Sequence, residues 1–457
     1  MDRHEAVQRD ATSSATSRRE FIRQAGTAVA GVALAAAAIP RAHAQANNTI
    51  RLALIGSGGR GTGAVANAFE APGGPVELYA VADVFEDRLN GSLQSLTDQY
   101  KDKVNVPAER RFLGFDAYKG AIDCLRPGDV VILTALCYCR PLHVEYAVQK
   151  GVNIFMEKPF APDPPGLRRI LAAGEAAKAK HLKIGAGLMC RHSSARQAMI
   201  DEIRNGRMGE IQYIRAYRMT DGVRIGPRDP NEKEIEYQIR RKHDFFWVSS
   251  GRMIDYLIHQ IDECCWIMDA WPVSAHALGG RAPNDDSCGQ NLDTYAMEFT
   301  FPNGRSALVN HRDIPGCYND FATYVHGSAC AGQFSGDGHQ PIVRIYEDQH
   351  TEGGKIVWQP QRETRNPWQA EWDVLLDRIR NDEEHNETER AIKSDTAAIL
   401  GRAAGHLGRI VTFDEVANSD YQFYPDVDHV GYDSPSPMPA DATGHYPVPI
   451  PGAWKGL

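Results

Sequence analysis

The chain of 457 residues carries 50 Lys and Arg against 59 Asp and Glu, a formal charge of −9. That balance excludes nucleic acid as the main partner, because phosphate binding needs concentrated positive charge. With 42% hydrophobic residues, the chain can bury a substantial core over two or three domains.

The first segment reads as an address rather than as structure. Ser17-Arg18-Arg19-Glu20-Phe21-Ile22-Arg23 heads a polar, basic region, and Ala25 to Ile39 is a weakly apolar run of mostly Ala, Gly and Val. Ala42-His43-Ala44 then presents small residues for cleavage before Gln45. This order predicts a twin-arginine signal over 1–44 and export of the folded protein to the periplasm; a disordered basic arm is the competing reading. The run is too short and small-sided to span a membrane comfortably, so no stable insertion is expected after cleavage. Loss of 1–44 removes six Arg and four acidic residues, leaving a formal charge of −11. All nine cysteines lie beyond this segment. Their number is odd and no zinc-like pair of Cys-x-x-Cys units occurs, so core filling is expected, with no metal site and no obligatory disulfide framework.

Ile50 to Ile55 predicts a buried strand running into a glycine turn, and Gly63 to Phe69 begins a helix. Val76 to Ala82, Val130 to Leu136 and Val152 to Met156 predict further strands, the last after a helix from His143 to Lys150. Strands alternating with helices imply a doubly wound parallel sheet, a Rossmann domain over 48–162. A helix over Gly166 to Lys180, a short strand over Lys183 to Leu188 and a helix over Ala195 to Asn205 follow. Ile211 to Met219, Ala296 to Phe301 and Ser306 to Asn310 read as strands of a second, α+β domain over 163–419, built on a largely antiparallel sheet. The polar stretch Thr220 to Lys242 reads as a functional loop. Trp368 to Arg380 and Ser394 to Ile410 predict late helices. Residues 420–457 hold seven of the 26 prolines and read as a surface tail.

Three stretches carry chemistry. Gly56, Gly58 and Gly61, with Gly59 and Arg60 between them, form Gly-x-Gly-x-x-Gly between a strand and a helix. Such glycines allow a tight turn, close approach to a pyrophosphate and close helix packing, with the phosphate on helix-terminal amides. Asp83, about 20 residues beyond at the end of the next strand, is placed to bind the adenosine ribose and to repel a ribose phosphate, favouring NAD over NADP. Glu157-Lys158-Pro159 ends another strand, where the Lys158 ammonium is aimed at the ligand crevice; a solvated Lys is the alternative. Asp255, His259 and Asp262 recur at i, i+4 and i+7, opposite an apolar stripe. A carboxylate one turn from an imidazole can orient it as a general base; a water-facing stripe is the alternative.

These stretches, with Arg140-Pro141-Leu142-His143, resemble the Gfo/Idh/MocA family of NAD(P)-dependent oxidoreductases over Ile50 to about Ser419. The resemblance implies catalytic roles for Lys158, Asp255 and His259 on a sugar or polyol hydroxyl, with His259 as proton acceptor oriented by Asp255. It also implies cofactor contacts from the glycine turn, Asp83, Glu157 and Lys158, a cis peptide before Pro159, and a homo-oligomer. Two departures stand out. Ala135-Leu136-Cys137-Tyr138-Cys139-Arg140 replaces the Pro-Asn or Pro-Pro pair of many relatives, and the 220–242 loop is bulky, making Arg224, Arg228, Tyr237, Arg240 and Arg241 candidates for substrate contact. Because free NAD(P) is scarce outside the cytoplasm, the expected cofactor is loaded before export and tightly held. The expected function is oxidation of a sugar or cyclic polyol by hydride transfer. The alternative is glycoside cleavage by transient oxidation, which needs a second base, for which Tyr256 or a loop residue is a candidate. A non-catalytic carbohydrate-binding protein is the third reading.

Overall fold

Ile-Arg-Leu-Ala-Leu-Ile forms β1 (Ile50–Ile55), buried on both faces except at Arg51, as befits a central parallel strand. A computed structural model describes residues 49–282, 287, 289–335, 339 and 342–457 of the chain. The segment 1–44, read as an export signal, lies outside the described residues. Six strands form the first sheet: β1, β2 (Val76–Asp83), β3 (Arg111–Leu113), β4 (Val130–Leu133), β5 (Asn153–Met156) and β6 (Ile184–Ala186). All pair in parallel, in the order β3-β2-β1-β4-β5-β6. The order reverses between β1 and β4, which opens the ligand crevice of a doubly wound sheet at their carboxyl ends.

Two features extend this layer beyond the boundary expected at 162. The helix Pro164–Ala179, capped by Asp163, is the crossover that returns the chain to β6, so the strand assigned to the second domain completes the first sheet instead. Helix Pro367–Arg380, far along the chain, lays Trp372, Leu375, Leu376 and Ile379 on the sheet face made by Leu52, Leu54, Val130, Ile132 and Phe155. Trp372 is fully buried, with its ring 4.5 Å from that of Phe155. Each such side chain contributes on the order of 1.5–3 kcal/mol through burial.

The second sheet has nine strands: β7 (Ile211–Thr220), β8 (Ser274–Gly280), β9 (Thr294–Thr300), β10 (Ser306–Asp313), β11 (Phe321–Gly327), β12 (Ala331–Phe334), β13 (Arg344–Tyr346), β14 (Ile356–Trp358) and β15 (Val411–Thr412). The order is β14-β13-β12-β11-β7-β10-β9-β8-β15, antiparallel throughout except for β7 with β10. Alternation in β7 buries Ile214 and Ala216 and leaves Tyr213, Arg215 and Tyr217 half-buried. The inner side packs on helix Arg252–Met268 through Ile254, Leu257, Ile258 and Ile261, and on helix Thr388–Leu407. Within the expected 220–242 loop the chain forms a helix, Glu234–Arg240, held by the C-terminal tail. Gln238 donates to Met438 O, and the Tyr446 hydroxyl donates to Glu234. No helix among the described residues is long and apolar enough to cross a membrane. The eight described cysteines are free.

Candidate active site

At the end of β1 the chain turns under β4. Gly56 has φ +93°, and a Cβ there would sit 2.2 Å from Ala135 N, so both the conformation and the space call for glycine. Above Gly58 and Gly59 the space is open, with nothing within 4 Å of an added Cβ. The helix Gly59–Glu70 begins earlier than its apolar pattern suggests, with no side-chain cap and no acidic residue in its first turn. Its leading amides therefore face the crevice unclaimed, an arrangement that fits the pyrophosphate of a dinucleotide. Asp83 accepts from Ser57 N at 2.6 Å and Phe85 N at 2.9 Å. Burial nonetheless pushes its carboxyl above the ordinary value. A cavity of about 700 Å³ runs from this turn past Asp83 and Arg88 to the tail residues Val427–Val430.

A smaller cavity of about 280 Å³ adjoins it and contains Lys158, Asp255 and His259 together. Arg60, Thr134, Ala135, Leu136, Lys242 and His243 line both, so the two form one continuous cleft. Of the cofactor residues expected from sequence, Gly56, Gly58, Gly59, Arg60, Gly61 and Asp83 line the larger part. Glu157 and Lys158 line only the smaller.

Lys158 reaches the cavity from the end of β5, ahead of a cis peptide to Pro159. Its Nζ donates to Asp255 Oδ1 at 2.8 Å and to Asp255 O at 2.5 Å. Just beyond, Phe160 N and Ala161 N donate to Asp395 Oδ2 from the helix Thr388–Leu407, which fixes the turn that aims Lys158. Burial pushes the Asp395 carboxyl up to about 7.

The helix Arg252–Met268 supplies the other partners, but their pairing differs from the helical-spacing expectation. Asp255 binds Lys158 on one oxygen, and its Oδ2 lies 2.5 Å from His243 Nδ1. Burial opposes its ionisation, yet Lys158 and His243 outweigh that and hold the carboxyl well below the usual range. Asp255 thus orients Lys158 and His243 rather than His259. His259 Nδ1 is buried without a hydrogen-bond partner, and its ring packs edge-on against His339 at 4.7 Å. Burial first, then the neighbouring His339 and the Lys158 charge, keep the His259 imidazole neutral far below its ordinary titration point. The stripe is not water-facing, since Asp255, His259 and Asp262 are all buried. Asp262 points away from the cavity into a pair with Arg191 at 2.7 Å and a hydrogen bond from Ser394 at 2.6 Å.

Arg60 joins the glycine turn to the rest of the site. Its guanidinium contacts Glu157 at 2.5 Å and Glu371, on the late helix, at 2.8 Å. Arg140 lies fully buried and donates to Glu157 O and Ala135 O, clamping the ends of β4 and β5 beside the Cys137–Cys139 turn. Of the loop residues considered for substrate contact, none lines the smaller cavity. Arg240 and Arg241 line the larger, paired with Asp87 and Glu232. Arg228 pairs with Glu234, Arg224 donates to Asp313 O, and the buried Tyr237 donates to Gly226 O. Sequence reading missed His243, His339, Arg218 and Trp368, which share the smaller cavity. The only signal for His243 was its place beside the basic run Arg240-Arg241-Lys242.

A six-stranded parallel sheet joined to a nine-stranded, mostly antiparallel sheet matches the two-domain Gfo/Idh/MocA fold. No family model matches the sequence. Two curated inositol 2-dehydrogenases of Cereibacter sphaeroides strains are 25% and 26% identical over 241 residues, 53% of this chain. The match spans 60% of those relatives' length. Among solved structures, aldose-aldose oxidoreductase from Caulobacter crescentus complexed with glycerol superposes with a TM-score of 0.62 at 18% identity. The myo-inositol 2-dehydrogenase from Lactobacillus plantarum gives 0.59 at 19%. The scyllo-inositol dehydrogenase from Lactobacillus casei with bound NAD(H) and scyllo-inositol gives 0.59 at 20%. Each covers 80% of this chain and 99% of its own.

Proposed function

We propose that the protein is an oxidoreductase that moves hydride between a hydroxyl-bearing carbon of a sugar or cyclic polyol and a tightly held nicotinamide dinucleotide. The observation that carries this reading is the continuity of the glycine-turn groove with the cavity holding Lys158, Asp255 and His259. The dinucleotide, held by Gly56 to Gly61 and Asp83, supplies the hydride acceptor. Lys158 hydrogen-bonds the substrate oxygen and stabilises its developing negative charge, as a preorganised cation in a dry site does. With its Nδ1 buried, His259 presents Nε2 to receive the hydroxyl proton. Asp255 holds the Lys158 ammonium at 2.8 Å and aims it. Asp83 favours NAD; Arg88 and Arg240, at the same end of the groove, make NADP the second choice.

Tight retention is supported by the tail. Val427–Val430 line the groove, and Tyr432 donates to Val84 O while packing on Phe115 at 5.0 Å. The polyol assignment is supported by the names of the relatives, inositol 2-dehydrogenases. Association into a homo-oligomer through the half-buried Tyr213, Tyr217 and Tyr324 of the nine-stranded sheet belongs to the same proposal. The test is to purify the folded protein, release its nucleotide for mass spectrometry, and screen cyclitols and aldoses for reduced-nicotinamide absorbance. Nucleotide-free protein that turns over no polyol would sink the reading.

We propose further that residues 1–44 direct twin-arginine export to the periplasm, on the order of arginine pair, apolar run and cleavage site. Terminal sequencing of the periplasmic protein should begin at Gln45, and its accumulation in the cytoplasm with Met1 intact would reject export.

A further inference from the structure

Oxidising one carbinol needs one proton acceptor, and on the proposed reading Lys158 with His259 meets that need. Besides His259 and His339, a further imidazole reaches the same cavity from the single turn Lys242–Asp244, on a different element. Its Nδ1 is 2.5 Å from Asp255 Oδ2, and Asp255 itself is 6% exposed. A carboxylate against Nδ1 favours the tautomer with the proton on that atom and leaves the Nε2 lone pair for whatever occupies the cavity. Neither ring's Nδ1 makes an aligned hydrogen bond, but that of His243 lies 2.5 Å from a carboxylate oxygen, whereas the His259 ring packs against His339. Tyr256, also in the cavity wall, is a poor base, since burial pushes its phenol up to about 12. His243 is therefore the imidazole of this cleft with a carboxylate against its inner nitrogen.

We propose that His243, backed by Asp255, removes the hydrogen on the carbon beside the carbonyl of a keto-sugar or keto-cyclitol held in this cavity. Nε2 takes the proton; the C–H electron pair forms a carbon-carbon double bond, and the carbonyl π pair moves onto oxygen. The resulting enolate oxygen lies against the Lys158 ammonium. Return of a proton to carbon restores the ketone on the same or the opposite face. Where the next carbon bears a leaving group, the enolate expels it instead. No oxidant or reductant is consumed in any of these steps. The proposal rests on the oxidoreductase reading for the origin of the ketone, and it adds a carbon-acid activity to the same cavity.

The competing role for His243 is simple neutralisation of a buried carboxylate. Wild-type protein incubated in D₂O with 2-keto-myo-inositol should wash deuterium into the carbons flanking the ketone faster than the enzyme-free solution, as read by NMR. Reduction of the same ketone by added NADH is measured alongside. His243→Gln is expected to lower exchange by about 100-fold or more, a larger loss than it causes in reduction, while His259→Gln shows the reverse order. Reduction without wash-in by the wild type overturns the proposal, as does a His243→Gln protein that loses both rates equally, the behaviour of a purely structural pair. Wash-in without reduction would instead reject the oxidoreductase reading and leave the carbon-acid step standing; absence of both rejects both.

Discussion

Lys158→Met lowers kcat for polyol oxidation by about 100- to 1,000-fold, the usual effect of deleting one preorganised donor from a developing oxyanion. The ammonium sits at the floor of the smaller cavity with 19% of its side chain exposed, so water cannot replace it fully. Its loss also strips Asp255 of the first of the two partners that hold it ionised against burial. Because Lys158 does not line the larger groove, the defect should fall on kcat far more than on retained nucleotide. Steady-state rates at saturating polyol, with nucleotide content from the released fraction, check this. A variant that turns over normally would remove Lys158 from the chemistry.

Arg60→Ala is expected to destabilise the fold by about 3–5 kcal/mol at neutral pH, because it strands two buried carboxylates. Glu371 and Glu157 expose only 2% and 8% of their side chains. Burial already drives the Glu371 carboxyl well above its ordinary value, with Arg60 the chief opposing charge. The sign follows from linkage. A folded value raised above the unfolded one gives stability that is complete in acid and is lost as pH rises through the folded value. Without Arg60 that value climbs further, so the deficit should be small near pH 5 and large at pH 8. Glu371→Gln added to Arg60→Ala should restore much of the loss at pH 8. Thermal unfolding at both pH values decides it; a deficit that ignores pH, or no rescue by Gln, would show that the charges are not the cause.

These expectations also mark how far the chain could be read before its folding was known. The glycine turn, β1 with its observed ends, and the placement of Lys158 at a strand terminus were legible because each depends on neighbours within a few residues. The same local logic put Asp255 and His259 on one helix face correctly and then misassigned the bond between them. The partner of Asp255 was Lys158, 97 residues earlier, which helical spacing does not report. Asp262, on the same stripe, is claimed by Arg191 from another element.

By itself the sequence determined the elements, the dinucleotide turn and the residue types available for proton transfer. Those follow from periodicity, glycine stereochemistry and side-chain chemistry, all short-range. Only the tertiary structure decided which charges meet. Helix Pro367–Arg380 brings Glu371 to Arg60 across 311 positions, Asp395 pins the turn after Lys158, and His243 rather than His259 receives the carboxylate. Desolvation makes those meetings obligatory: a buried charge must find a partner wherever the packed layers place one, and layer packing is set by the summed apolar faces rather than by any local run.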